Sequence, residues 1–135
     1  MLVTREIFEE FRGLLNLEAP GQKLLSITLI GLPDLEQNIA LDPPLQQRIA
    51  LKFTLQSLQE IAVTEYIKHR LHIVGCERDV FSPGAYKKIY QFSKGIPRLI
   101  NTICDNSLLE SFLVKKETID EDVVDSVGGD LGLKK

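Results

Sequence analysis

The pattern of hydrophobic and polar positions changes character near Gln56. Before it, the pattern predicts an amphipathic helix over 4–15, a strand over 24–30 that is apolar on both faces, a short helix over 34–40 and a second strand over 52–55, with one or two helical turns at 45–49. After it, apolar residues recur at helical spacing and predict four helices in a row. The chain is therefore expected to begin in α/β style and to end as an all-α bundle.

Local start signals place these helices along the chain. Thr4 is expected to cap the first one, and the capping-box spacing of Ser57–Glu60 starts the first of the later four. Ser82 followed by proline starts the next, Pro97 opens a long one, and the last begins near Asp120. On the first helix, the positions predicted to face inward are Ile7, Phe8, Phe11, Leu14 and Leu15. On the helix after Ser57 they are Leu58, Ile61, Ala62, Ile67, Leu71 and Val74. On the helix after Pro97 they are Leu99, Ile100, Ile103, Leu108 and Phe112.

Part of a sheet is missing from this pattern. A strand buried on both faces needs neighbouring strands, and two candidates are too few to surround one. We therefore predict an α/β remnant over 1–56, an all-α domain of about four helices over 57–128 and a flexible tail over 129–135.

The composition is that of a soluble globular domain or part of a larger one. Of the 135 residues, 44% are apolar and 26% are charged, and the formal net charge is −3. This balance argues against a broad surface for nucleic acid or anionic membrane. No apolar run reaches the roughly 20 residues that cross a bilayer, so we expect no direct membrane insertion and a cytoplasmic location.

The cysteines and histidines give no signal for a metal or a disulfide. Cys76 and Cys104 lack CxxC spacing and are expected to be buried thiols. His69 and His72 share a helix face without a third ligand nearby in the sequence, so we predict a solvated surface and no metal site.

The most informative motif is GIPRLIN at 95–101. After Gly95, Pro97 is preset for a first helical turn, and this places Arg98 at the helix start. A guanidinium beside a helix N-terminus combines bidentate hydrogen-bond donors with a favourable dipole. The expected target of Arg98 is therefore a phosphate, and an ion pair within the helical domain is the alternative.

Several segments together resemble a known family. They are LLSITLIGLPDL at 24–35, LQQRI at 45–49, EYIKHRL at 65–71, GIPRLINTICDNSLL at 95–109 and residues 119–127. These segments look like the latter half of AAA+ ATPases of the general secretion pathway protein A type, also called the ExeA type. EEFR and NLE, in the first eighteen residues, also fit the helix that follows the Walker B strand in that family.

The resemblance implies a nucleotide site that is only partly present. Arg98 matches the sensor 2 arginine, which reaches from the helical lid to the γ-phosphate of ATP, with Gly95 and Pro97 as the other cofactor-binding positions. The resemblance implies that the phosphate loop lies well upstream of Met1 and the Walker B carboxylates just before it. No GxxxxGK[ST] string occurs in the sequence, so the cradle that holds the phosphates is not expected in this chain. The parent protein is then expected to bind ATP and Mg²⁺, whereas this chain alone is predicted to hold neither and to be catalytically silent.

Two further positions bear on hydrolysis. Arg48 resembles the arginine finger that such ATPases offer to the nucleotide of a neighbouring subunit, which is a catalytic role; a surface arginine on a short helix is the alternative. Leu32 stands where the family usually places a polar sensor 1 residue, and leucine cannot donate a hydrogen bond. Either Thr28 or Asp34 takes over that role, or the parent hydrolyses ATP slowly or merely binds it.

The resemblance also implies partners. These are other subunits of a homo-oligomer and a membrane-linked protein of type II secretion, in a process that assembles the outer-membrane secretin. Two other classes stay open. A related AAA+ regulator of transposition or DNA handling would turn the basic residues of the lid toward DNA, although no nucleic acid is favoured, and a nucleotide-free helical adaptor would bind a protein instead.

Overall fold

The computed structural model describes residues 5–133, with the backbone alone at Arg5. Thr4, the expected cap of the first helix, and residues 134–135 of the expected tail lie outside the described residues. The chain divides between Thr54 and Leu55 into two compact units. None of the helices formed by residues 5–133 is long and apolar enough to cross a membrane.

The first unit consists of short helices and one small hairpin. Its elements are α1 (Arg5–Leu14), β1 (Glu18–Ala19), β2 (Gln22–Lys23), α2 (Asp34–Ala40) and α3 (Pro43–Gln46). The two strands are antiparallel and pair Glu18 with Lys23. Between them Gly21 has a φ of 75°, which glycine adopts without a Cβ clash.

One apolar cluster joins the three helices of this unit. It consists of Phe8, Ile39 and Leu45, one from each helix, and each is almost fully buried. The predicted helices over 4–15 and 34–40 are confirmed within the described residues. α3 begins two residues before the turns predicted at 45–49, because the Asp42 side chain caps it by accepting a hydrogen bond from the backbone N–H of Leu45 at 3.1 Å.

Both strands predicted for the first part of the chain are wrong. Residues 24–32 and 51–59 belong to no helix or strand, and most of their apolar side chains face solvent: Leu24 is 55% exposed, Ile30 89% and Phe53 84%. A strand is stabilised by hydrogen bonds and side-chain contacts with neighbouring strands, and no strand among the described residues pairs with these segments. The described residues are therefore mostly helical, with one two-stranded sheet.

The second unit is an all-α bundle and confirms the predicted run of four helices. They are α4 (Glu60–Ile73), α5 (Pro83–Ser93), α6 (Pro97–Leu113) and α7 (Glu121–Asp130). α5, α6 and α7 pack against one another, and α4 packs against α5. The core that they enclose contains Val63, Ile67, Val80, Phe81, Ala85, Tyr86, Ile89, Phe92, Ile100, Ile103, Ile119, Val123, Val124 and Val127.

Several side chains predicted to face inward are exposed instead. On α4, Ile61 is 76% exposed, whereas Val63, which the predicted stripe omitted, is fully buried. On α6, Phe112 is 79% exposed, whereas Ser107 and Ser111 lie in the interior. The buried positions of α6 are 100, 103, 107 and 111, a single helical stripe of 3- and 4-residue steps. Position 112 lies off this stripe, although its residue type is apolar.

Side-chain caps form at two of the predicted helix starts and not at a third. Ser82 Oγ accepts a hydrogen bond from the N–H of Ala85 at 3.1 Å, and Asp120 caps α7 in the same way at 3.2 Å. The capping box predicted at Ser57 does not form, since α4 begins at Glu60 without a side-chain cap. The chain before α4 is held instead by a main-chain hydrogen bond from Leu58, described below.

Candidate functional site

The GIPR turn (residues 95–98) joins α5 to α6. α5 ends at Ser93, after which Lys94 adopts a left-handed φ of 51° and Gly95 a φ of 74°. Two successive residues at positive φ turn the chain away from the α5 axis. Pro97 then occupies the start of α6, as predicted. The turn thus fixes the direction in which α6 leaves α5.

Gly95 is buried and has no room for a side chain. A Cβ built at this position would stand 1.9 Å from the carbonyl oxygen of Leu58. The N–H of Leu58 donates to the carbonyl oxygen of Gly95 at 2.9 Å, and the N–H of Gly95 donates to Ser93 Oγ at 3.2 Å. The positive φ and the close approach of a second backbone both require glycine. The sequence motif did not reveal this packing role, because Leu58 and Ser93 carry no pattern that marks them as its neighbours.

Arg98 lies exposed on the first turn of α6. Ile96 provides no side-chain cap, and the N–H groups of Arg98 and Leu99 have no acceptor among residues 5–133. Within the same residues the Arg98 guanidinium forms no ion pair. The alternative prediction, an ion pair inside the helical domain, is therefore not observed among them. A guanidinium beside two unpaired backbone donors at a helix start favours an anion.

Arg48 lies in the first unit, just after α3. Its Nη1 donates to the side-chain oxygen of Asn16 at 2.6 Å, so the residues after α1 hold its guanidinium. A second contact joins α1 to α3, because Arg12 Nη1 lies 3.4 Å from Oδ1 of the buried Asp42, the α3 cap. Asn16 is the residue that sequence reasoning missed here, since nothing in its surroundings marks it as a partner of a residue 32 positions away.

The region predicted for sensor 1 is open. Leu32 lies in the irregular stretch before α2 and is 78% exposed. Thr28 and Asp34, the two polar candidates to replace it, are exposed as well. All three side chains are accessible, and their roles stay predictions.

One concavity of the second unit lies away from the GIPR turn. It encloses about 360 Å³ and is lined by Lys68, Leu71, His72, Cys76, Glu77, Arg78 and Asp79. Lys68 Nζ and Asp79 Oδ1 form an ion pair of 2.9 Å at its edge, and the remaining charges are of both signs. No group of three His, Cys, Asp or Glu side chains within residues 5–133 is arranged to hold a metal ion. This concavity contains none of the predicted site residues.

The shifted pKa values belong to groups outside the GIPR turn. Burial raises the pKa of Cys104 to about 12, and burial also raises the pKa of Tyr86 to about 12, with the negative charge of Asp79 adding to the shift. A hydrogen bond with Lys116 lowers the pKa of Asp120. These shifts arise from packing and from ion pairs of the bundle, and they indicate no general acid or base.

Comparison with known proteins identifies one relative. No family model matches the chain, and no solved structure does. General secretion pathway protein A of Aeromonas hydrophila is 41% identical to it over 108 residues, which cover 78% of this chain and 20% of that protein. The chain thus spans about one fifth of the length of this relative. The resemblance to the general secretion pathway protein A type, which the sequence motifs carry, is therefore confirmed over most of the chain.

Proposed function

We propose that this chain is the latter part of a AAA+ ATPase module whose parent couples ATP binding and hydrolysis to conformational work in general secretion. The observation that carries the proposal is Arg98, an exposed guanidinium without an ion pair among the described residues, beside an uncapped helix start. The 41% identity to General secretion pathway protein A supports the choice of process.

In this proposal the second unit is the lid, and Arg98 senses the γ-phosphate of ATP. The planar guanidinium donates two hydrogen bonds to phosphate oxygens, and the N–H groups at the start of α6 add a favourable dipole. ADP lacks the group that Arg98 contacts. Because α5, α6 and α7 pack against one another, a force on Arg98 moves these three helices together.

Arg48 acts in trans as an arginine finger within a homo-oligomer. Its contact in this chain is a neutral amide oxygen, that of Asn16, at 2.6 Å. Hydrogen bonds between two charged groups are stronger than those with a neutral acceptor, so a phosphate of a neighbouring subunit competes well for this guanidinium. Removal of such a finger typically slows phosphoryl transfer by about 10³ to 10⁵.

The remaining parts of the nucleotide site come from the parent protein. A phosphate loop and Walker B carboxylates would hold ATP and Mg²⁺, and the chain alone binds neither. The exposed apolar segments 24–32 and 51–55 support this view, since they have strand-like composition and no strand partner among the described residues. In the parent they join the sheet of the nucleotide-binding core.

A chimera tests the proposal. This chain replaces the aligned segment of General secretion pathway protein A from Aeromonas hydrophila, and binding of ATP and of ADP is measured by titration calorimetry. Arg98→Ala is expected to weaken binding of ATP more than binding of ADP, because only ATP carries the γ-phosphate. Lys87→Ala, which removes an exposed cation of α5, serves as the matched control and leaves both affinities unchanged.

Equal losses of ATP and ADP affinity in Arg98→Ala would remove the sensor assignment. A chimera and a parent that bind no nucleotide would refute the ATPase proposal as a whole and favour the helical adaptor.

A further inference from the structure

We propose that Leu58 fixes the segment linking the two units (residues 51–59, the linking segment) to the GIPR turn, so that movement of this turn is passed to the linking segment through the main chain. The contact between Leu58 and the GIPR turn is a positioning contact that the proposed function does not contain. The proposed function supplies only the ligand that moves the turn.

The contact between Leu58 and Gly95 is made by both backbones. The N–H of Leu58 donates to the carbonyl oxygen of Gly95 at 2.9 Å. On the same side, the place that a Cβ of residue 95 would take lies 1.9 Å from the carbonyl oxygen of Leu58 and 2.9 Å from its nitrogen. The peptide of Leu58 therefore occupies the position of the missing side chain. A displacement of Gly95 toward this peptide cannot occur unless Leu58 moves as well.

Ser93 and Pro97 also restrict the GIPR turn. Ser93 is fully buried, and its Oγ accepts the hydrogen bond from the N–H of Gly95 at 3.2 Å. Pro97 has a fixed φ and begins α6. Arg98 follows immediately, so few backbone rotations separate its Cα from the contact with Leu58.

Leu58 is also the point at which the linking segment becomes ordered by hydrogen bonding. From residue 51 to residue 57, no main-chain N–H or carbonyl group has a hydrogen-bond partner among the described residues. Leu58 has one, and its side chain is partly buried against the core of the second unit. A movement of the turn is therefore passed on at this residue and at none of the seven before it.

Amide hydrogen exchange, measured by NMR on the 135-residue chain without nucleotide, tests the contact. Gly95→Ala places a Cβ against the Leu58 carbonyl oxygen and is expected to speed exchange of the Leu58 amide by about tenfold, the range of one net hydrogen bond. Gly75→Ala is the matched control, because Gly75 has a φ of 83° and nothing within 4 Å of its built Cβ. Gly75→Ala thus also places alanine at a positive φ, and it is expected to leave the exchange rate of the Leu58 amide unchanged. An unchanged Leu58 amide in Gly95→Ala would overturn the proposal.

A substitution in the linking segment tests whether a change there affects the GIPR turn. Leu58→Pro removes the N–H donor and is expected to shift the amide resonances of Arg98 and Leu99, since coupling between two sites is reciprocal. Leu55→Pro is its control, because Leu55 is 95% exposed and has no main-chain hydrogen bond within the described residues. Unshifted resonances of Arg98 and Leu99 in Leu58→Pro would overturn the proposal. This test does not depend on whether Gly95→Ala folds. Both arms omit nucleotide, so a failure here is distinct from a failure of the ATP titration of the chimera.

Discussion

Alanine substitution of two adjacent glycines in α7 measures how tightly the helical unit is packed. A Cβ at Gly128 would stand 2.6 Å from Cζ of Phe92, closer than carbon atoms approach, whereas a Cβ at Gly129 would have nothing within 4 Å. Phe92 is 5% exposed and belongs to the core, so its ring has little space into which it can retreat.

The expected magnitudes follow from two opposing effects. Replacing glycine by alanine within a helix stabilises it by about 1 kcal/mol, and this gain is shared by the two neighbouring positions. Overpacking a core costs about 1–3 kcal/mol, and this cost applies at residue 128 alone. Gly129→Ala is therefore expected to raise the free energy of unfolding by up to about 1 kcal/mol. The free energy of unfolding of Gly128→Ala is expected to be about 1–3 kcal/mol lower than that of Gly129→Ala.

Tyrosine fluorescence provides an assay specific to this unit. The chain has no Trp and three Tyr, and Tyr66, Tyr86 and Tyr90 all lie in the second unit. Urea unfolding followed by this signal gives the two free energies without interference from the first unit. For a domain of this size, 1 kcal/mol also corresponds to about 4–8 °C in Tm. Equal stability of the two variants would refute the packing of Gly128 against Phe92.

Two further predictions concern the same unit. Ser82→Ala removes the side-chain cap of α5 and is expected to lower the free energy of unfolding by about 1 kcal/mol, whereas Ser82→Asn keeps an acceptor and most of the stability; an unchanged urea midpoint in Ser82→Ala would contradict the cap. Because burial raises the pKa of Cys104 and of Tyr86 to about 12 in the folded chain, the unfolded chain loses these protons first. Stability is then full at pH 8 and falls as the pH rises above about 9. Urea midpoints at pH 8, 9.5 and 10.5 measure this loss, Cys104→Ser should reduce it, and a flat profile would show that these groups are not buried.

The helices of the second unit could be predicted from the sequence because their signals are local. Ser82 and Asp120 cap helices through the backbone N–H three residues later, and this contact needs only the residues in between. Pro97 likewise starts α6 by its own restricted φ. Periodicity placed Ile100 and Ile103 in the core correctly, but it wrongly included Phe112, which is apolar and lies one position beyond Ser111, the last buried residue of the stripe.

The predicted strands failed for the opposite reason. Residues 24–30 have the composition of a buried strand, but a strand forms only where neighbours accept its hydrogen bonds and cover its side chains. Those partners are absent from the described residues, so Ile30 lies 89% exposed in a stretch that is neither helix nor strand. The composition of a segment shows that it can form a strand, and the presence of neighbouring strands determines whether it does.

For the candidate site, the sequence by itself determined the GIPR motif and hence an arginine on the first turn of a helix, because glycine, proline and arginine act there through their own covalent geometry. The tertiary structure alone decided that Leu58 occupies the space beside Gly95, and that Asn16 holds Arg48. These contacts join residues more than 30 positions apart, and a hydrogen bond or a close approach over that distance depends on how the whole chain packs.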